Sequence, residues 1–135
     1  MAGITRGEPL TTPSLSADGT YELTVASVPH HVATIRLFVA AVARVAGIDV
    51  ETIDDAKLAV SELATAIVEA GDSEFITLVA NRADGRLSVV IGPWREGLGE
   101  DEEFGALEIA SALFAGTSVD GQFVTLPIEP SDTDD

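Results

Sequence analysis

The chain contains no cysteine, few basic residues and few aromatic residues. The absence of cysteine among 135 residues excludes disulfides and thiolate metal sites. With five Phe, one Trp and one Tyr, the core must be built mainly from aliphatic side chains. No stretch approaches the roughly 20 apolar residues of a membrane span, and the first residues lack the basic start and apolar run of a signal peptide. We therefore expect a cytoplasmic protein that does not enter a membrane.

Acidic residues greatly outnumber basic residues in the sequence. Seven basic residues stand against 23 acidic ones, which gives a net charge of −16. The basic residues are scattered along the chain, whereas nucleic-acid binding needs clustered cations that displace counterions from phosphates. The composition thus argues against a nucleic-acid partner. Two interpretations of the acidic charge remain: it keeps the protein soluble, or an acidic face meets a basic protein partner.

The length and composition predict a single folded domain with two polar ends. A hydrophobic fraction of 46% is ordinary for a globular protein of this size. Residues 1–19 are rich in Gly, Pro, Ser and Thr without periodicity and are predicted to form a flexible arm. Residues 129–135 form an acidic tail that we expect to be disordered. The folded domain is therefore predicted to span residues 20–128.

Hydrophobic periodicity predicts the elements of this domain. Alternation from Tyr21 to Ala26 indicates a strand, and an apolar ladder that ends at Gly47 indicates a first amphipathic helix. A second helix is predicted from about Val50 to Gly71, with an apolar stripe formed by Ile53, Ala56, Val60, Leu63 and Ile67. Two strand-like segments then meet at Asp84-Gly85, which is a strong hairpin signal. A polar loop over 93–103, a third helix over 104–115 and a last strand, QFVTLPI, follow. Helices grouped against a mostly antiparallel sheet predict a two-layer α+β sandwich.

The segment from His30 to Gly71, together with this order of elements, resembles the GHKL ATPase fold of histidine kinases, gyrase and Hsp90. Within that fold it is most similar to the small anti-sigma-factor serine kinases (RsbW-like). The stretch from Asp55 to Glu62, DAKLAVSE, is close to the start of that family's N-box helix. The resemblance implies a mixed, mostly antiparallel sheet covered by helices on one face.

The resemblance also implies where catalytic residues would lie. The family's N-box carries a Glu that activates the attacking hydroxyl and, four residues later, an Asn that helps to hold Mg²⁺. Glu62 occupies the first position, but Ala66 occupies the second and offers no oxygen ligand. Thr65 carries a hydroxyl, but it is rotated about 100° around the helix. Glu62 is accordingly either a vestigial catalytic acid or part of a solvated acidic stripe with Asp55 and Glu69.

Two further nucleotide-binding elements of the family are altered. The Asp that reads the adenine amino group has no counterpart in the turn from Ile91 to Trp94. The glycines of the phosphate loop would correspond to Gly97 and Gly99, but four carboxylates at 100–103 follow them directly and would repel a triphosphate. If a nucleotide binds, Gly105 is better placed, since it precedes the third helix.

Three other residues are candidates for special roles. His30 and His31 adjoin a predicted helix start without further metal ligands at a suitable spacing, so a capping or surface role is expected and no metal site is predicted. Trp94 either packs in the core or forms an exposed lid or partner anchor.

These observations lead to a functional expectation with two alternatives. The expected function is an anti-sigma-factor-like regulatory protein without kinase activity or cofactor, which binds a sigma factor or a STAS-type anti-sigma antagonist. One alternative is an active serine kinase that uses ATP and Mg²⁺ through unusual contacts. The other is an acidic decoy that imitates nucleic acid. A homodimer is compatible with each of them.

Overall fold

The computed structural model describes residues 14–15, 19–98 and 105–130. This part of the chain forms six strands and three helices. In chain order they are β1 Ser14–Leu15, β2 Thr20–Ala26, α1 His31–Val45, α2 Val50–Ala70, β3 Phe75–Ala83, β4 Arg86–Gly92, α3 Ala106–Leu113, β5 Ser118–Asp120 and β6 Phe123–Ile128. Among these helices, none is long and apolar enough to cross a membrane.

The strands form one sheet in the order β1-β2-β3-β4-β6-β5. Each described pair is antiparallel, so the sheet is uniformly antiparallel there rather than mixed. The connection between β2 and β3 sets the relative direction of these two strands. Helix α1 leads away from the end of β2 and α2 returns, so β3 starts where β2 ended and must run in the opposite direction. The predicted α+β class is confirmed.

The core lies between one face of the sheet and the helices. Buried and partly exposed residues alternate along β2, β4 and β6, as expected for strands with one covered face. The predicted apolar stripe of α2 is buried throughout: Ile53, Ala56, Val60, Leu63 and Ile67. Because these residues recur every three or four positions, they hold one face of α2 on the sheet and direct the opposite face outward.

The ends of α2 are set by local chemistry. Asp49 is the N-cap, and its carboxylate accepts hydrogen bonds from the backbone N–H of Thr52 at 3.1 Å and from the Thr52 hydroxyl at 2.9 Å. Gly71 ends the helix in the left-handed region with φ of 70°, which glycine adopts without a steric penalty. The first and last residues of α2 therefore agree with the predicted start near Val50 and the predicted end at Gly71.

The structure differs from two of the sequence predictions, and a third concerns residues outside its described part. Ser14 and Leu15, within the predicted arm, pair with Glu22 and Tyr21 of β2, so that β1 is an edge strand of the sheet. Helix α3 is shorter than predicted, because the chain leaves the helical conformation at Phe114, and Phe104 lies outside the described residues. The remainder of residues 1–18 and the tail at 131–135 lie outside them as well, so the predictions for those ends stay predictions.

Candidate functional site

Helix α2 forms one wall of a cavity of about 240 Å³. Its half-buried or exposed face contributes Glu62, Thr65, Ala66 and Glu69, and the core stripe on the opposite side of α2 fixes their direction. Leu98, from the loop after β4, and Ala106, the first residue of α3, complete much of the lining. Glu62 and Ala66 thus share the wall of one cavity, at the spacing at which the resemblance places a catalytic acid and a metal ligand.

The chemistry of this cavity is acidic. Among the residues that the structure describes, those that line it contribute two carboxylates, one hydroxyl and no basic side chain. Glu62 and Glu69 are seven residues apart on the helix, or about 10 Å along its axis, too far to share one cation whose oxygen ligands lie within roughly 2.0–2.6 Å. Within residues 14–15, 19–98 and 105–130, no group of three or more His, Asp or Glu side chains is placed to hold a metal.

Two of the three predicted glycines, Gly97 and Gly105, lie among the described residues. Gly97 lies in an exposed turn with φ of 83°, where Leu98 N–H bonds to the Arg95 carbonyl at 3.0 Å. Gly105 is buried and is the N-cap of α3, and its carbonyl accepts the Ile109 N–H at 3.0 Å. Gly99 and the carboxylates at 100–103 lie outside the described residues. Of the two described glycines, Gly105 is the one at a helix start.

A second cavity of about 370 Å³ adjoins the first, and the two share Ala70 and Leu98 in their linings. It lies at the end of β4, where the adenine-reading Asp of the resembling family would be expected. Pro93 and Trp94 line it instead. Trp94 is only 3% exposed, and its backbone N–H donates to the Gln122 carbonyl at 2.6 Å. Burial favours core packing for Trp94 over an exposed partner anchor.

The basic residue nearest in sequence to the predicted phosphate loop, Arg95, is already paired. Arg95 Nε donates to Asp72 Oδ2 at 2.6 Å, which joins the loop after β4 to the segment after α2. The sequence alone does not predict this pair, because the partners are 23 residues apart and no periodic pattern relates them. The guanidinium and the carboxylate each remain about half exposed.

The two histidines have structural surroundings. The rings of His30 and His31 are 4.5 Å apart in an edge-to-face arrangement, and His31 Nδ1 lies 3.0 Å from the Ala26 carbonyl. This contact ties the start of α1 to the end of β2. His30, the N-cap residue of α1, is exposed and makes no side-chain cap hydrogen bond, so the surface role fits it and the capping role does not.

Comparison with known proteins identifies the domain. No protein of curated function matches this sequence. The family model of the histidine kinase-like ATPase domain matches residues 25–103, which is more than half of the 135-residue chain. The matched region runs from the end of β2 through α1, α2, β3 and β4 into the loop that precedes α3. It therefore contains Glu62, Ala66 and Trp94. The chain belongs to the histidine kinase-like ATPase domain family.

Proposed function

We propose that this protein is a regulatory binding domain that has lost phosphoryl transfer and acts as an anti-sigma-factor-like protein. Its partner would be a sigma factor or a STAS-type anti-sigma antagonist. One observation carries the loss of catalysis. The described lining of the cavity on α2, where the family's nucleotide would lie, has Glu62 and Glu69 without a cation and presents the methyl group of Ala66.

Phosphoryl transfer depends on positioning and on neutralising the charge of the triphosphate. A carboxylate 4 Å from a phosphate oxygen costs about 1 kcal/mol per charge pair even at the dielectric constant of water, and more in a partly closed cavity. A bound Mg²⁺ would offset this cost only if side-chain oxygens held it in place, and Ala66 supplies none. The cavity therefore favours exclusion of ATP.

The adenine end of the cavity supports the same conclusion. An adenine amino group needs a hydrogen-bond acceptor, but the turn after β4 offers Gly92, Pro93 and Trp94. The indole of Trp94 is buried, and its only polar atom is a donor. A purine at this position would therefore depend on acceptors outside the turn, and of those that line the cavity Asp72 already accepts from Arg95.

Titration with Mg·ATP tests the loss of catalysis. We expect no saturable heat in calorimetry and no change in the fluorescence of Trp94, the only tryptophan, up to 1 mM nucleotide. That concentration corresponds to a binding free energy of about −4.1 kcal/mol. Tighter saturable binding that is abolished by Ala66→Trp, which would fill the cavity on α2, would establish the kinase alternative. Glu62 is the residue that favours this alternative, since it lines the same cavity.

A separate experiment tests the regulatory function. The purified protein is titrated with individually purified sigma factors and STAS-domain proteins from the genome that encodes it. We expect a stoichiometric complex with at least one of them, with the same affinity in the presence and absence of Mg·ATP. Failure to bind any member of either class would contradict the anti-sigma function, whatever the outcome of the nucleotide titration.

A further inference from the structure

One edge of the sheet is covered along only part of its length. Strand β1 is the edge strand on the side of β2, and it pairs with Tyr21 and Glu22 near the start of β2. No described residue pairs on this side with the rest of β2, residues 23–26. That segment, LTVA, contains neither a charged residue nor a proline. Natural proteins usually protect such an edge, because its open backbone groups can pair with a strand of another chain.

The hydrogen bonds of β2 show which backbone groups face this edge. Just after β2, Ser27 N–H donates to the Glu74 carbonyl at 2.8 Å, in the register of the β2–β3 ladder. Because bonding alternates along a strand, odd-numbered residues of β2 bond to β3 and even-numbered residues point to the other side. The Ala26 carbonyl already accepts the Val28 N–H at 2.9 Å. Three groups therefore point to the open edge without a described partner: Thr24 N–H, Thr24 C=O and Ala26 N–H.

We infer that residues 10–13, which directly precede β1, pair with this part of β2 and close the edge to strands of other chains. The register of β1, in which Ser14 pairs with Glu22, determines their partners. Continuing it adds four pairs: Pro13 with Leu23, Thr12 with Thr24, Thr11 with Val25 and Leu10 with Ala26. These residues then belong to the folded domain, in contrast to the flexible arm that their composition predicts.

Covalent attachment favours this segment over a strand from another molecule. Ser14 already pairs with β2, so no loop has to close before Pro13 and Thr12 reach the edge. A separate molecule would lose translational and rotational freedom on binding the same groups. The segment therefore binds the open edge at a lower entropic cost than a competing strand.

The prolines occupy positions that an edge strand tolerates. Proline has no N–H to donate, so within a sheet it is found where that group would point away from the neighbouring strand. Ser14 pairs with Glu22, an even-numbered residue that faces this edge, so even-numbered residues of the extended strand bond to β2. Pro13 is odd-numbered and has its nitrogen on the outward side, and Pro9, just before the segment, has the same parity. The outer side of the new edge thus has fewer donors for another chain.

The side chains of the segment match the two faces of the sheet. Residues opposite each other in a ladder share a face. Pro13 therefore lies beside Leu23, which is buried under the helices, and Thr12 lies beside Thr24 on the outer face. Thr24 Oγ1 is 3.2 Å from Thr77 Oγ1, so Thr12 continues a row of hydroxyl groups across three strands. An apolar residue thus faces inward and a polar one outward, as expected for a sheet with one covered face.

Leu10 covers part of an exposed aromatic side chain. Phe75 is 45% exposed and pairs with Ala26 on the outer face. In the extended register Leu10 lies on the other side of Ala26, about 10 Å from Phe75 between Cα atoms, or two strand spacings. Because alanine is small, the two larger side chains can meet above it and bury apolar surface.

Two proline variants of the full chain test the orientation of the strand. Thr12→Pro removes an N–H that points at Thr24 and places the pyrrolidine ring against β2. Thr11→Pro is the matched control, because the N–H that it removes points outward. In the unaltered chain and in Thr11→Pro, NMR hydrogen exchange of the Thr24 and Ala26 amides should be slower than in Thr12→Pro by about tenfold or more. Equal exchange in the two proline variants would overturn the inference.

Nuclear Overhauser effects test the register independently in the unaltered chain. Non-hydrogen-bonded pairs of an antiparallel ladder bring their Cα atoms to about 4.5 Å. We expect contacts between the Hα atoms of Thr11 and Val25 and between those of Pro13 and Leu23. Absence of both contacts would contradict the pairing, and contacts with other partners would contradict its register.

Light scattering tests whether the segment closes the edge to other chains. Each protein is held at the same interval below its own Tm, so that differences in global stability are removed. Thr12→Pro should associate several-fold faster than Thr11→Pro or the unaltered chain, because it exposes residues 23–26 on an edge without charge or proline. Equal rates for the two variants would show that the edge needs no protection and would overturn this part of the inference.

Discussion

At the scale of single residues, the packing around Gly92 at the end of β4 is unusually close. A Cβ atom at this position would lie 2.5 Å from the Gln122 carbonyl oxygen and 2.6 Å from Cδ1 of Phe123. Real Cβ atoms do not approach other atoms so closely, and the phenyl ring occupies the space that a side chain would need. Gly92 therefore permits β4 to lie against the start of β6 directly beside the second cavity.

Replacement of Gly92 by Ala should destabilise the protein by about 1–3 kcal/mol, because either the backbone at Gln122 or the ring of Phe123 must move. Thermal melts followed by circular dichroism would measure this loss as a lower Tm. Phe123→Ala is the control, and the double variant should recover part of the loss, since only the contact with the ring is removed. A Gly92→Ala protein with an unchanged Tm would show that β4 and β6 tolerate a side chain between them.

The sequence predicts some site residues better than others. Contacts between residues close in sequence follow from helical spacing, whereas contacts between distant residues do not. Glu62 and Ala66 are related by helical spacing, which is enough to place them on one face of α2. The pairing of Arg95 with Asp72 and the burial of Trp94 arise from long-range packing of a loop. No local spacing predicts such contacts.

At the scale of elements, the sequence predicts those helices and strands that have a strong hydrophobic periodicity and misses those that are too short to show one. Helix α2 has a regular apolar stripe and signals at both ends, and its predicted extent agrees with Val50–Ala70. Strands β1 and β5 have two and three residues, too few for alternation to be detected. Asp120-Gly121 repeats the dipeptide of the turn at Asp84-Gly85, although here Asp120 ends β5 and pairs with Phe123, so Gly121 and Gln122 form the turn. It could have revealed β5.

The N-cap of α2 gives a prediction for the helix as a unit. Asp49→Ala removes the acceptor of the Thr52 N–H and should cost about 1 kcal/mol, or a few degrees in Tm for a domain of this size. Asp49→Asn retains an oxygen that accepts this bond, so its Tm should stay closer to that of the unaltered protein. Equal losses for Ala and Asn would indicate that the charge of Asp49, rather than the cap hydrogen bond, stabilises the helix.

At the scale of the whole molecule, the fold and the surface charge depend on different parts of the chain. The fold requires apolar side chains where α2 packs on the sheet. This requirement constrains the inward faces of the helix and the sheet, and not their outward faces. The outward faces are free to differ, and they carry the features that distinguish this chain: an acidic cavity on α2, a basic and apolar α1, and an overall charge of −16. Folding and nucleotide chemistry therefore depend on different residues.

The net charge predicts how the stability of the whole domain depends on salt. Self-repulsion among uncompensated carboxylates destabilises the compact state, and salt screens it as the Debye length falls from about 30 Å at 0.01 M to about 8 Å at 0.15 M. The three ion pairs between described residues have at least one substantially exposed partner each, so their weakening by salt should matter little. We expect Tm to rise by several degrees between 10 and 500 mM NaCl.

A variant with less charge provides the control for this prediction. Conversion of Glu100, Asp101, Glu102 and Glu103 to their amides lowers the net charge from −16 to −12. This variant should have the higher Tm at 10 mM NaCl and a smaller gain on addition of salt, because less repulsion remains to be screened. Melts of both forms are recorded at the same low protein concentration, since self-association would itself raise Tm. If Tm of the unaltered protein falls with salt, favourable charge pairs outweigh the self-repulsion.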